Sequence, residues 1–174
     1  MPPHWAKDAS AMTQDADNRI EAITLDEATV IARNDEIEKE REVALRDLVE
    51  DNLFRPLRAL ESGHAGPWHV HLGIVEGMLA LGLKDRAGAD AGTIGLGLGR
   101  LRRVVREYFA ICDSYYKALR RASAQEIETI DMARRGIHDR GTRQLTEALD
   151  GKVETDFETA RRLFTLICVL HIKG

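Results

Sequence analysis

WHVHLGIVEGMLALGLK, residues 68–84, alternates with period two on both sides of a Glu76-Gly77 pair. That is the pattern of two strands joined by a tight turn, with Val70, Leu72 and Ile74 beside Leu79, Leu81 and Leu83 on one face. After a loop over 86–92, TIGLGLG at 93–99 adds Ile94, Leu96 and Leu98 to that aliphatic face. The opposite face carries His69, His71 and a run of small residues through Gly73, Gly82, Gly95, Gly97 and Gly99. Either another segment packs closely there or water covers it.

Upstream, RIEAITL at 19–25 alternates as a short strand, with Ile20, Ala22 and Thr24 on one side and Glu21, Ile23 and Leu25 on the other. From Asn34 the period becomes helical: Ile37, Ala44, Leu45 and Leu48 form one stripe, and Asp35 and Glu38 sit in the first turn, where the helix dipole favours acids. This helix is expected to end near Asn52, ahead of Pro56. Downstream, Leu101, Val104, Val105, Tyr108, Cys112 and Leu119 share one arc of a long helix. Ser123–Glu126 and Thr155–Glu158 have the spacing of capping boxes and start two more helices, the first punctuated by Gly136 and Gly141. In the last helix, Leu163, Leu166, Ile167, Val169 and Leu170 point all round the axis. Such a helix is central, or it buries a second face against a partner, which raises a homodimer through that helix.

The expected fold class is therefore α+β. A single domain over residues 19–174 holds a four-stranded, mainly antiparallel sheet in the order β-α-β-β-β, followed by three to four C-terminal helices on its aliphatic face. Residues 1–18 have no period and read as a disordered tail.

At 174 residues and 44% hydrophobic, the chain supports one core of ordinary size. A formal net charge of -4 and a pI near 5.9 exclude a protein that coats nucleic acid through its overall field, so any such binding must come from a local cluster. Cys112 and Cys168 fall in apolar helical patterns and read as reduced core thiols. The N-terminus lacks the pattern of a signal peptide, and LFTLICVL at 163–170 is too short to span a bilayer; a cytoplasmic protein with no membrane partner is expected.

TIGLGLGR superficially resembles a phosphate loop, but G-L-G-L-G matches neither the nucleoside-triphosphate nor the dinucleotide pattern. The arginines after it are the better anion candidates. Arg103 has Glu107 one turn on, whereas Arg102 and Arg106 have only each other and Ala110, and stacked like charges need a neutraliser. An acid from the tail or the first helix would serve, as would a phosphate from a ligand or RNA. His69 and His71 project to one side of a strand and can reach one metal, yet zinc wants three or four ligands. His64 and His138 are possible companions, and the commoner case is a histidine hydrogen-bonded to a neighbour. No metal or cofactor is assigned. Arg134-Arg135 reads as a helix-closing doublet, and Arg161-Arg162 as a pair satisfied by Glu158 and Asp156.

REYFAICDSYYKAL, IETIDMARRGIHDRG, TARRLFTLICVLHIKG and the GHAGPWHVHL segment together resemble a family of conserved bacterial proteins catalogued only as an uncharacterised protein family. The resemblance runs from about Ala22 to the end. It implies a small cytoplasmic bacterial protein, supplies no activity, and covers His64, His71, His138 and His171. The leading functional expectation is a non-enzymatic interaction or regulatory protein whose Arg102, Arg103 and Arg106 contact a phosphate-bearing ligand, RNA or an acidic partner. The alternative is a small hydrolase of a phosphorylated metabolite, with His71 or His138 as general base or metal ligand.

Overall fold

A computed structural model describes residues 17–30 and 35–170; residues 1–16, 31–34 and 171–174, hence most of the expected tail and His171, lie outside the described residues. Four strands, β1 (Ile20–Leu25), β3 (Trp68–Val75), β4 (Met78–Lys84) and β5 (Asp90–Gly97), form one sheet in the order β1-β3-β4-β5. The meander is as the alternation requires: β3–β4 and β4–β5 are antiparallel, with Leu72 opposite Leu81 and Leu81 opposite Ile94. The β3–β4 turn has positive φ at both Glu76 (51°) and Gly77 (75°), the two-residue turn whose twist suits a hairpin. β1 instead pairs parallel to β3, so the sheet is mixed. The physical reason is the connection, since a helix-containing crossover carries the chain back to the starting edge and delivers the next strand in the same direction.

That crossover holds α1 (Asp35–Glu50), a short strand β2 (Phe54–Pro56) and a short helix α2 (Leu57–Glu61). β2 pairs antiparallel with β6 (Val153–Thr155) in a separate two-stranded ribbon that local pattern did not reveal. β1 also departs from strict alternation. A register shift between Ile20 and Ala22 places Ile20 with Ile23 and Leu25 toward the core and leaves Ala22 and Thr24 beside His69 and His71. Asn52, just past α1, fixes this strand end: its amide donates to the Ile20 and Leu48 carbonyls and its oxygen accepts from the Ile20 amide.

Three helices follow the sheet: α3 (Gly99–Arg121), α4 (Ala124–Leu149) and α5 (Phe157–Cys168). Gly99 opens α3 and is not part of β5. Ser123 caps α4 by accepting from the Glu126 amide, as its spacing requires. α5 is capped one residue later than the Thr155–Glu158 spacing indicates, because Asp156 accepts from the Thr159 amide. α4 runs unbroken past Gly136 and Gly141. Gly141 faces α5, where an added Cβ would collide with the Phe164 ring, so its role is close approach of two helices.

The aliphatic faces of β3, β4 and β5 join Leu101, Val104, Leu145, Leu149 and the α5 side chains in one buried cluster. Leu163, Leu166 and Ile167 of α5 are all buried within the single chain, as are Val169 and Leu170, which lie just past the end of the helix and not around it as expected, Leu170 bridging to Val30. α5 is thus the central helix, flanked by α1 and α4, and it needs no second copy to cover it. On the thin face of the sheet, Asp26, at the start of the 3-10 turn Glu27–Thr29, sits against Gly73 and donates its amide to the Leu72 carbonyl. Among the described residues, no helix is long and apolar enough to cross a membrane.

Candidate functional site

The sequence-derived site residues occupy separate places. His64 lies in the loop after α2 and contacts Asp85 at 3.0 Å, which holds that carboxyl below its usual range. His71 faces outward on β3, with Nδ1 2.7 Å from Thr24 Oγ1. Its neighbour His69 meets Glu21 at 3.1 Å. His138 is on α4, buried among helices. Among the described residues, no group of three or more His, Cys, Asp or Glu side chains could hold a metal ion.

The arginines at the start of α3 also diverge. Arg103 pairs with Glu107 at 3.4 Å, as the spacing requires, and Arg140 of α4 shares that carboxylate. Arg102 is half-buried, with its Nε enclosed and without a hydrogen-bond partner, while Arg106 is exposed. Neither has an ion-pair partner among the described residues, so the described part of α1 does not supply the acid that would neutralise them.

The larger concavity is elsewhere. A cleft of about 660 Å³ opens between α1, α4 and α5, with Tyr108 of α3 at its base. Arg134-Arg135 lies in mid-helix on α4 and does not close it; together with Arg161-Arg162 at the start of α5 it lines this cleft. Neighbouring arginines on a helix point about 100° apart, so each doublet divides its work. Arg134 is fixed by Asp131 at 2.7 Å, by Glu40 at 3.7 Å and by the Tyr115 ring, over which its guanidinium sits at 4.4 Å. Arg162 donates to the carbonyls of Asp47 and Asp51 and thereby satisfies the C-terminal end of α1. The acids one turn back do not hold it.

The remaining cations keep donors to spare. Arg135 touches Asp131 through one Nη, at 2.9 Å, and Arg161 touches Glu158 at 3.4 Å; both are about half exposed or more. Lys39, on the α1 wall, is exposed and has no ion pair among the described residues. One cation with free donors therefore comes from each of the three helices that enclose the cleft. Three carboxylates also line the cleft: Glu40 is held by Arg134 and Tyr116, Asp47 contacts Arg46, and Asp139 has no partner among the described residues.

At the floor, His138 is 9% exposed and packs edge-on against Tyr108 and Phe164. Its Nε2 lies 2.7 Å from Thr165 Oγ1, whose hydroxyl donates to the Arg161 carbonyl; that pattern assigns the imidazole proton to Nε2. Burial, followed by the nearby charge of Arg161, lowers the imidazole pKa to about 4, so it is neutral at pH 7. Nδ1 is enclosed with no hydrogen-bond partner, and thus no carboxylate orients the ring as a general base would require.

The fold and the site define a mixed-sheet α+β protein with a cation-rimmed cleft in its helical layer. Its family follows from sequence comparison: residues 17–173 match the model of the Uncharacterised protein family (UPF0262), to which this chain belongs. It is 60% identical to a UPF0262 protein of Novosphingobium aromaticivorans over 162 residues, 91% of this chain and 99% of that protein. A UPF0262 protein of Erythrobacter litoralis is 58% identical over 159 residues, with 91% and 99% covered, and one from Rhodopseudomonas palustris strain BisB5 is 51% identical over 166, with 95% and 99% covered. No solved structure matches the chain.

The sequence reading passed over this cleft because it explained each arginine doublet within its own helix. The available signal was the repetition itself, two doublets on two helices that the short connection at 150–156 brings together.

Proposed function

We propose that this is a cytoplasmic, non-enzymatic interaction protein that binds a phosphate-bearing small molecule in the cleft between α1, α4 and α5. The observation that carries the reading is the convergence of Lys39, Arg135 and Arg161, one from each enclosing helix, on a single concavity. Arginine forks match phosphate oxygens in pairs, and a lysine adds a mobile point charge. The cleft volume falls within the roughly 300–1,000 Å³ typical of small-molecule sites. A neutral, hydrogen-bonded His138 at its floor supports binding over acid–base chemistry.

The test is thermal unfolding at low salt with and without millimolar ribose 5-phosphate and inorganic phosphate. A ligand at about 100 times its dissociation constant stabilises by about 2.7 kcal/mol, enough for a clear shift in Tm. The shift is expected to shrink with added salt and to vanish in Arg135→Gln with Arg161→Gln. No shift with any phosphate compound, or an unchanged shift in the double variant, overturns the reading.

A second surface is favoured by one feature of α3: its first turn holds no acid and its N-cap, Leu98, makes no side-chain hydrogen bond. With Arg102, Arg103 and Arg106 on the following turns, that end is a separate place for a phosphate group or RNA backbone. Loss of salt-sensitive RNA binding in Arg102→Glu with Arg106→Glu is the expected outcome, and unchanged binding removes this surface.

A further inference from the structure

The cleft is lined by charged and by apolar groups. The cations with spare donors, Lys39, Arg135 and Arg161, are all exposed. The same cavity is lined by Val43 and Ala44 of α1 and by the buried ring of Tyr108 at its base. Val43 remains 45% exposed although it flanks this cavity. Inorganic phosphate alone would use the cations and leave the apolar lining wet. Asp139 adds a further requirement, because a purely anionic ligand would leave its carboxylate facing like charge without a donor to accept from.

We infer that the occupant is a nucleoside monophosphate, with its phosphate held by Lys39, Arg135 and Arg161, a hydroxyl or amino group donating to Asp139, and its flat base against Val43 and Tyr108. The inference rests on the phosphate-binding reading above and narrows it to a ligand class. Three kinds of group on one molecule answer three features of one cavity. The phosphate matches two guanidinium forks and an ammonium. Sugar hydroxyls or an exocyclic amine match the unpaired Asp139 carboxylate. The faces of a planar aromatic base can lie against the aliphatic and aromatic side chains that line the same cavity, the kind of lining that gives such sites most of their contact area.

Isothermal titration calorimetry on the full chain separates the parts, with adenosine and guanosine 5′-monophosphates, ribose 5-phosphate, inorganic phosphate and uncharged adenosine as probes. At least one monophosphate is expected to bind tenfold or more tightly than ribose 5-phosphate, with adenosine weaker still. Val43→Asp, at an exposed position that leaves the core intact, is expected to erase the advantage of the base while ribose 5-phosphate binding falls less. Arg135→Gln with Arg161→Gln is expected to weaken the monophosphate at least tenfold. If ribose 5-phosphate binds as well as both monophosphates, or Val43→Asp leaves the ratio unchanged, the nucleotide assignment is overturned while the phosphate reading stands. If none of the phosphates binds, both fall together.

Discussion

His138 Nε2 and Thr165 Oγ1 lie 2.7 Å apart across the seam between α4 and α5, in a contact that joins the two helices beneath the cleft. Its value depends on the imidazole staying neutral, because protonation would place a cation in a buried site already under the influence of Arg161 and Arg134. In the unfolded chain this histidine has its ordinary pKa of 6.5, against about 4 in the folded one. Between those values the unfolded state binds more protons, so stability rises with pH and is lost as pH falls from about 6.5 toward about 4. The full effect is roughly 3 kcal/mol at 1.36 kcal/mol per pKa unit. Urea unfolding at several pH values should show a shallower slope in His138→Gln, and parallel slopes in the two proteins would contradict the assignment.

Gly141 and Phe164 set how closely α4 and α5 approach. Gly141→Ala would drive a methyl group into the Phe164 ring, with all three nearest ring carbons within 2.6 Å of the new Cβ. Overpacking of this kind costs about 1–3 kcal/mol, read as a lower urea midpoint at unchanged m. Phe164→Leu should be destabilising alone yet recover part of the loss when combined with Gly141→Ala. Additive losses would show that the ring is not what the glycine accommodates.

Arg162 ties α5 to the end of α1 by donating to the Asp47 carbonyl of that helix at 3.1 Å and to the Asp51 carbonyl just past it at 2.8 Å. Hydrogen bonds from a charged donor contribute about 1.5–3 kcal/mol. Arg162→Met keeps most of the stem and removes the donors, so a loss of about 2 kcal/mol in chemical denaturation is expected. A variant as stable as the parent would mean that water satisfies those carbonyls equally well.

Cys112 and Cys168 are both free and buried. Burial pushes the Cys112 thiol up to about 11 and raises that of Cys168 as well, so little thiolate exists at pH 8. Neither should react with a soluble disulfide reagent in the native state, and both should react at once in denaturant. Rapid labelling of the folded protein would show that the α3–α5 contact opens readily.

The meander and the long helix were legible because each is written in a short-range period. Leu72, Leu81 and Ile94 alternate in ways that permit one face only, and the Glu76-Gly77 pair marks the reversal. Tyr108 and Cys112 lie one turn apart on the arc that faces inward. The parallel partnership of β1 with β3 was not legible, since strand direction depends on the path of the crossover and not on the strand's own side chains. The Ile20/Ala22 shift was hidden for the same reason: a bulge exists only relative to a partner strand. Gly136 and Gly141 misled as punctuation, because glycine in a helix also serves where a neighbouring helix needs the space, and only the position of Phe164 decides between those roles for Gly141.

The histidines and arginines draw the same boundary. Sequence alone determined the α+β class, the aliphatic underside of the meander, the local Arg103–Glu107 pair and the family resemblance, all carried by residues near one another in the chain. Tertiary structure decided that His64, His71 and His138 never meet, that the last helix spends its apolar surface inside its own chain, and that Arg135 and Arg161 face one cleft with Lys39. Periodicity reports which way a side chain points from its own axis. Where those axes lie relative to one another is set by the packing of α1, α4 and α5, and a binding site belongs to that arrangement.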